Sequence, residues 1–131
     1  MIELKSEMIE VRGVTITVQE ANGFMAAKRS RLAIQAVEAE QVARKDGTFD
    51  EDEAFWRMWV YPPLVAATVA VDGLDWPLSC EELMALPDEL TTTWYNAVHR
   101  LNPHWLPKPD PAQDLNEKKG SSPSPETPTS E

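Results

Sequence analysis

The first twenty residues alternate between apolar and polar side chains, which is typical of β-strands that bury one face. The alternation runs on both sides of the dipeptide Arg12-Gly13. A two-residue loop at this dipeptide pairs Val11 with Val14 and Ile9 with Ile16, and all four side chains then share one face. The pattern therefore predicts an antiparallel hairpin whose apolar face must be covered by other elements.

The residues on either side of this hairpin extend the pattern. Ile2 and Leu4 continue the alternation and predict a third strand. Thr17 and Glu20 have the spacing of a capping box, in which each side chain accepts a hydrogen bond from the other residue's backbone. The helix that they open is predicted to run to about residue 45, where Gly47 follows as a left-handed C-terminal cap.

Further helix signals fill the second half of the chain. Asp50 with Glu53, and Ser79 with Glu82, repeat the capping spacing. The last helix carries an amphipathic stripe and ends at Asn102-Pro103. Between these helices, the run 64–71 is apolar on all sides; its alanines favour a helix, whereas its β-branched residues leave a strand open.

These elements predict an α+β domain that is mostly α, with an N-terminal β-hairpin packed on a small bundle of three to five helices. We place the globular domain at residues 1–105. Residues 106–131 are predicted to be a disordered tail rich in proline, serine and acidic residues, because Leu106 and Leu115 are its only large aliphatic residues. Such a tail serves either as a solubilising terminus or as a linker to a longer fusion partner.

Composition narrows the possible environments and partners. The chain has 131 residues, with 22 acidic against 12 basic ones and a formal net charge of −10. This balance argues against binding to a nucleic-acid backbone. The charge-free stretch 58–71 is too short for a membrane span, and acidic and basic residues interrupt the first apolar residues, so no signal peptide is expected. One cysteine, Cys80, excludes an intramolecular disulfide and fits a reducing cytoplasm.

Residues with catalytic or metal-binding potential are sparse. His99, His104 and Cys80 show none of the spacings of a catalytic triad or a metal site, and the two histidines are expected to be exposed or half-buried. The five glycines are scattered, so they cannot build a phosphate-binding loop. The sequence therefore predicts no catalytic, cofactor or metal site, and no enzyme activity.

An aromatic-rich cluster is the most informative feature of the sequence. Its members cover too much of a helix circumference to face one small core. Either the whole set packs internally against the hairpin and the last helix, or part of it remains exposed as an apolar patch for a partner. A basic face on the first helix is a second candidate contact. The candidate partner-binding residues are Phe55, Trp56, Met58, Trp59, Tyr61, Lys28 and Arg31.

The order of features over residues 1–105 resembles that of the tail assembly chaperones of long-tailed bacteriophages of the siphophage type. The resemblance includes the strand pair and the basic helix, and none of its elements is a catalytic signature. It rests on these motifs: Lys28-Arg29-Ser30-Arg31, the aromatic-rich segment 55–67, Asp72-Gly73, the cap at 79–83, Leu86-Pro87 and Asn102-Pro103.

The resemblance implies a non-enzymatic protein that binds the helical tape measure protein during tail assembly in the host bacterial cytoplasm and is absent from the mature virion. Independently of the resemblance, an exposed aromatic patch predicts self-association, while the acidic charge and the short apolar stretch predict neither nucleic acid nor membrane as a partner. Three other classes remain open: a small structural virion protein, such as a tail completion or head–tail connector protein; an acidic DNA mimic; and an enzyme. A virion protein would be retained in purified particles, whereas a chaperone would not.

Overall fold

The computed structural model describes residues 2–107, which form a three-stranded antiparallel sheet and a mostly helical layer against one of its faces. The predicted class, α+β and mostly α, is confirmed. Of the predicted tail, Leu106 and Pro107 are described, and residues 108–131 lie outside the described residues.

The hairpin has the predicted register. Strand β1 (Ser6–Val11) pairs with β2 (Val14–Gln19) through Val11 opposite Val14 and Ile9 opposite Ile16. Both loop residues have positive φ, 52° at Arg12 and 81° at Gly13. This geometry matches the twist of the two strands, and it is why a glycine follows the arginine.

The third strand comes from a different part of the chain. Strand β3 (Thr68–Asp72) pairs with the free edge of β2 and sets Val71 opposite Ile16 on the core face. The prediction of a strand at Ile2 and Leu4 is therefore wrong. Both side chains are exposed, and neither residue belongs to a strand of the sheet.

Helix α1 (Gly23–Asp46) is capped by a residue that the sequence pattern missed. Asn22 Oδ1 accepts a hydrogen bond from the Met25 backbone N–H at 2.9 Å. The predicted capping box at Thr17 and Glu20 is wrong, because Thr17 belongs to β2 and the strand continues past it. The predicted end is confirmed, since Gly47 adopts the left-handed conformation with φ 74°.

The remaining helices follow in quick succession. Asp50 caps the second one as predicted, but Glu53 pairs with Arg57 instead of completing a capping box. The capping box of Ser79 and Glu82 is confirmed, and the apolar run 64–71 divides into a helix and a strand. The elements are α2 (Glu51–Phe55), a π-helical turn (Trp56–Val60), α3 (Tyr61–Ala67), α4 (Cys80–Met84), α5 (Asp88–Leu101) and a 3-10 turn (Pro103–Trp105).

The core lies between the sheet and α5. Helix α5 packs across β1 and β2, while α3 lies between α5 and α1. The Trp94 side chain is fully buried, and its Nε1 donates a hydrogen bond to Thr68 Oγ1 at 2.9 Å, so this large ring leaves no polar atom unpaired. The fully buried side chains around it include Ile16, Val18, Leu64, Leu83 and Val98.

One buried amide joins the two ends of the domain. Asn102 is fully buried at the end of α5, and its Oδ1 accepts a hydrogen bond from the Ala21 N–H at 2.8 Å. Its Nδ2 donates to the carbonyl oxygens of Gln19 at 3.2 Å and Val98 at 3.1 Å. Asn102 thereby connects the end of β2 and the start of α1 to the end of α5. We call this set of three hydrogen bonds the Asn102 clasp.

We expect Asn102→Ala to lower the free energy of unfolding by about 2–4 kcal/mol, because it leaves a partly buried N–H, one partly buried carbonyl group and one buried carbonyl group without this partner. Urea unfolding measures the change. Asn96→Ala is the matched control, since Asn96 is exposed on the same helix and should change stability by less than about 0.5 kcal/mol. Equal losses in the two variants would contradict a stabilising role for the clasp.

Candidate partner-binding surface

The aromatic cluster is arranged by a π-helical turn inside one helical run. The Tyr61 N–H donates to the Trp56 carbonyl, five residues earlier, where an α-helix would use a residue four earlier. Pro62 and Pro63 follow directly and have no N–H for the carbonyl groups of the preceding turn. The widened turn lies where these α-helical hydrogen bonds cannot form, and it changes the direction in which the aromatic side chains project.

The five predicted cluster residues divide between the core and the surface. Phe55 and Trp59, one helical turn apart, are 56% and 46% exposed. Trp56 and Tyr61 are half-buried against the core, and the Tyr61 hydroxyl donates to the Leu78 carbonyl at 2.6 Å. Met58 is also half-buried. The cluster is thus neither entirely core nor entirely surface, and Phe55 and Trp59 are its most exposed members.

Phe55 and Trp56 border a cleft between the π turn and α5. We call it the aromatic cleft; its volume is about 310 Å³. Apart from one carboxylate at its rim, its walls are rings, methyl groups and hydroxyl groups, so it offers mainly apolar contact. The lining residues are Phe55, Trp56, Val60, Asp88, Thr91, Thr92 and Tyr95.

The predicted basic residues lie on a separate surface. Lys28 and Arg31 are exposed on α1, and neither lines the aromatic cleft. Helix α1 faces the opposite side of the central helical run, where Leu32 and Tyr61 border a small shared crevice. The structure therefore does not bring the two predicted contact regions together.

A second, acidic groove separates the C-terminal half of α1 from α2. Its volume is about 500 Å³, and alanine side chains from both helices leave space at its base. Arg57 on its wall is bound by Glu53, with Nη2 2.6 Å from Oε2, and this hydrogen bond raises the pKa of Arg57. Its carboxylates are Glu38, Glu40, Asp50 and Glu53.

Two of the three residues considered for catalysis, Cys80 and His99, are shielded from solvent. Burial raises the pKa of the Cys80 thiol to about 11, so the thiol is neutral and poorly nucleophilic near neutral pH. His99 is buried, contrary to the expectation of an exposed or half-buried side chain, whereas His104 is exposed. Within the described part of the chain, no group of three His, Cys, Asp or Glu residues is placed to hold a metal ion.

Sequence reasoning missed several exposed or cleft-lining residues. Tyr95 was overlooked because only the core stripe of α5 was followed, although this ring forms one wall of the aromatic cleft. On α1, Phe24, Ile34 and Val37 are exposed. The spacing of Ile34 and Val37, three residues apart, was a detectable signal of a second apolar face on that helix.

Comparison of the chain with protein-family models, curated proteins and solved structures finds no match. None of the helices in residues 2–107 is both long and apolar enough to cross a membrane.

The environment of His99 predicts a pH dependence of stability. Burial lowers the pKa of His99, and the positive charge of Arg29 adds to this, while the neighbouring Asn102 backbone partly offsets both. Neither ring nitrogen has a partner at full hydrogen-bond geometry among the described residues. An unfolded histidine has a pKa of about 6.5, so the unfolded state takes up more protons as pH falls below that value. The folded state consequently loses stability from about pH 6.5 downward, until the lowered pKa of His99 is reached.

We expect His99→Phe to flatten this dependence, because phenylalanine retains the contact with Tyr95, whose ring centroid lies 4.2 Å from that of His99, and has no proton to exchange. Urea unfolding between about pH 5.5 and 7.5 measures it, in a range where carboxylates with ordinary pKa values remain ionised. His104→Phe is the control at an exposed histidine. Parallel pH profiles for wild type and His99→Phe would refute the assignment.

Proposed function

We propose that this protein is a non-enzymatic tail assembly chaperone that binds and solubilises the helical tape measure protein of a long-tailed bacteriophage. The observation that carries the proposal is the exposure of Phe55 and Trp59 beside the aromatic cleft, in a domain whose core is complete without them. The resemblance in motif order specifies the partner. The surface itself supports a protein ligand with apolar side chains.

The spacing of the exposed rings suits a helical ligand. Phe55 and Trp59 are four residues apart, so they form an apolar ridge along one side of the helical run. Amphipathic helices bind to such surfaces through side chains spaced three or four residues apart. The cleft, at about 310 Å³, is at the small end of the range for ligand sites, and suits side chains of a protein partner.

The net charge of the protein favours the solubility of a complex with the tape measure protein. A tape measure helix awaiting its tube exposes an apolar stripe, and coverage by a protein with a net charge of −10 replaces that stripe with a strongly acidic surface. Large net charge of one sign keeps proteins apart in solution. This is the property expected of a chaperone that holds an elongated partner before assembly in the host bacterial cytoplasm.

The arrangement of the carboxylates weighs against a DNA mimic. Such a mimic needs acidic groups spread over one surface at the spacing of phosphates. In this domain many acids occupy the first turns of α2, α4 and α5, where they interact favourably with the helix N-termini. The principal rival is a small structural virion protein, and mass spectrometry of purified particles distinguishes the two, since a chaperone is absent from them.

We expect the double variant Phe55→Ala, Trp59→Ala to bind the tape measure protein of the same phage at least tenfold more weakly than wild type. Loss of exposed aromatic anchors costs about 1–2 kcal/mol each in binding, with little effect on folding. Co-expression with the tape measure protein, followed by measurement of its soluble fraction and by affinity capture, tests this. Met8→Ala is the control, because Met8 is exposed on the outer face of the sheet.

Trp56→Ala provides the contrast in stability to the double variant. Since Trp56 is half-buried against the core, this change should lower the free energy of unfolding by about 2 kcal/mol, whereas the double variant should melt close to wild type. Undiminished capture by a folded double variant would refute the proposed surface. Recovery of the protein from purified virions would instead favour the structural virion protein.

A further inference from the structure

Helix α1 has two apolar faces, and only one of them is covered. One face, which includes Ala36, packs toward α3 and the π turn. On the opposite face, Ile34 and Val37 are 60% and 44% exposed, and at the helix start Phe24 is 88% exposed. An apolar row of this kind on a helix of 24 residues, about 36 Å long, is typical of a helix that packs against another helix.

The charges that flank this row are ordered along the helix. Arg31 precedes the apolar pair and Glu38 follows it, seven residues later, on the same side of the helix. Both are exposed, and neither forms an ion pair with another described residue. Seven residues span about 10 Å of helix, so the two side chains do not neutralise each other within one molecule.

This order is self-complementary under a two-fold rotation. A two-fold axis that is perpendicular to α1 and passes beside it, level with the midpoint between Ile34 and Gln35, is equally distant along the helix from Arg31 and Glu38. In an antiparallel pair of α1 helices around that axis, Arg31 of each copy lies opposite Glu38 of the other. The same rotation sets Ile34 near Val37 of the second copy, and Phe24 near the aliphatic stem of Lys45.

We propose that α1 is the self-association surface of this protein and that two copies pair through antiparallel α1 helices. The apolar contact between Ile34 and Val37 supplies most of the affinity, and the reciprocal Arg31–Glu38 pairs select the orientation. Each copy carries a net charge of −10, so most other contacts between copies are repulsive. The inference does not depend on the chaperone proposal, because the aromatic cleft is lined by other elements.

Charge reversal tests the pairing. Sedimentation velocity of the full chain over a range of concentrations should show a dimer for wild type. Arg31→Glu and Glu38→Arg should each weaken dimerisation roughly 10- to 30-fold, because each places two pairs of like charges in the interface. The combined variant Arg31→Glu, Glu38→Arg should restore it, as should mixing the two single variants. Lys5→Glu is the control for Arg31→Glu, with the same charge change at an exposed position outside α1.

Cysteine cross-linking tests the direction of the helices. Phe24→Cys mixed with Lys45→Cys should form an intermolecular disulfide, whereas Phe24→Cys alone should not. Cys80 is buried, so wild type serves as the control for unspecific oxidation. A monomeric wild type, an Ile34→Gln variant that dimerises as well as wild type, or efficient cross-linking of Phe24→Cys with itself would each overturn the proposal.

Discussion

The Asn102 clasp is the contact on which the closure of the fold depends. The segment between β2 and α1 must leave the sheet and begin a helix, and the Ala21 N–H in this segment is paired by the Asn102 side chain. Because Asn102 also donates to the carbonyls of Gln19 and Val98, one side chain fixes three segments from opposite ends of the domain. An amide suits this position, since it supplies both donors and an acceptor at a fully buried site. The orientation of α5 over the sheet, and hence the core around Trp94, follows from this closure.

The π turn determines which aromatic side chains pack against the core and which lie at the surface. Without the two prolines, a regular α-helix would continue through residues 55–67 and keep its apolar residues in ordinary α-helical register. The wider turn instead leaves Phe55 and Trp59 at the surface, while Trp56 and Tyr61 contact the core. Exposure of large rings adds nothing to the stability of the monomer. Their position beside a preformed cleft is the observation on which the proposed contact with another protein rests.

The parts of the fold that were predictable are those set by local chemistry. The hairpin register follows from the alternation around Arg12-Gly13, and the capping box at Ser79 follows from spacing alone. The predictions that failed include residues whose structure depends on a segment distant in the sequence. Thr68 to Asp72 became a strand because the edge of β2 was available to them, and local sequence does not show that edge. In the candidate site, the crowding of the aromatic residues was visible in the sequence, but the division between Trp56 and Trp59 depends on the π turn and on the position of α5.

The junction between α3 and β3 has a consequence for how the surface behaves. Thr68 begins the strand directly after Ala67 ends the helix, and Thr68 is fixed by hydrogen bonds with the Leu64 carbonyl and the Trp94 indole. The helical run that carries Phe55 and Trp59 therefore continues directly into β3, with no loop between helix and strand. A ligand that binds there meets a preorganised surface and loses little affinity to the entropy of ordering it. Mechanical load on those rings is also transmitted along the backbone into the central part of the domain.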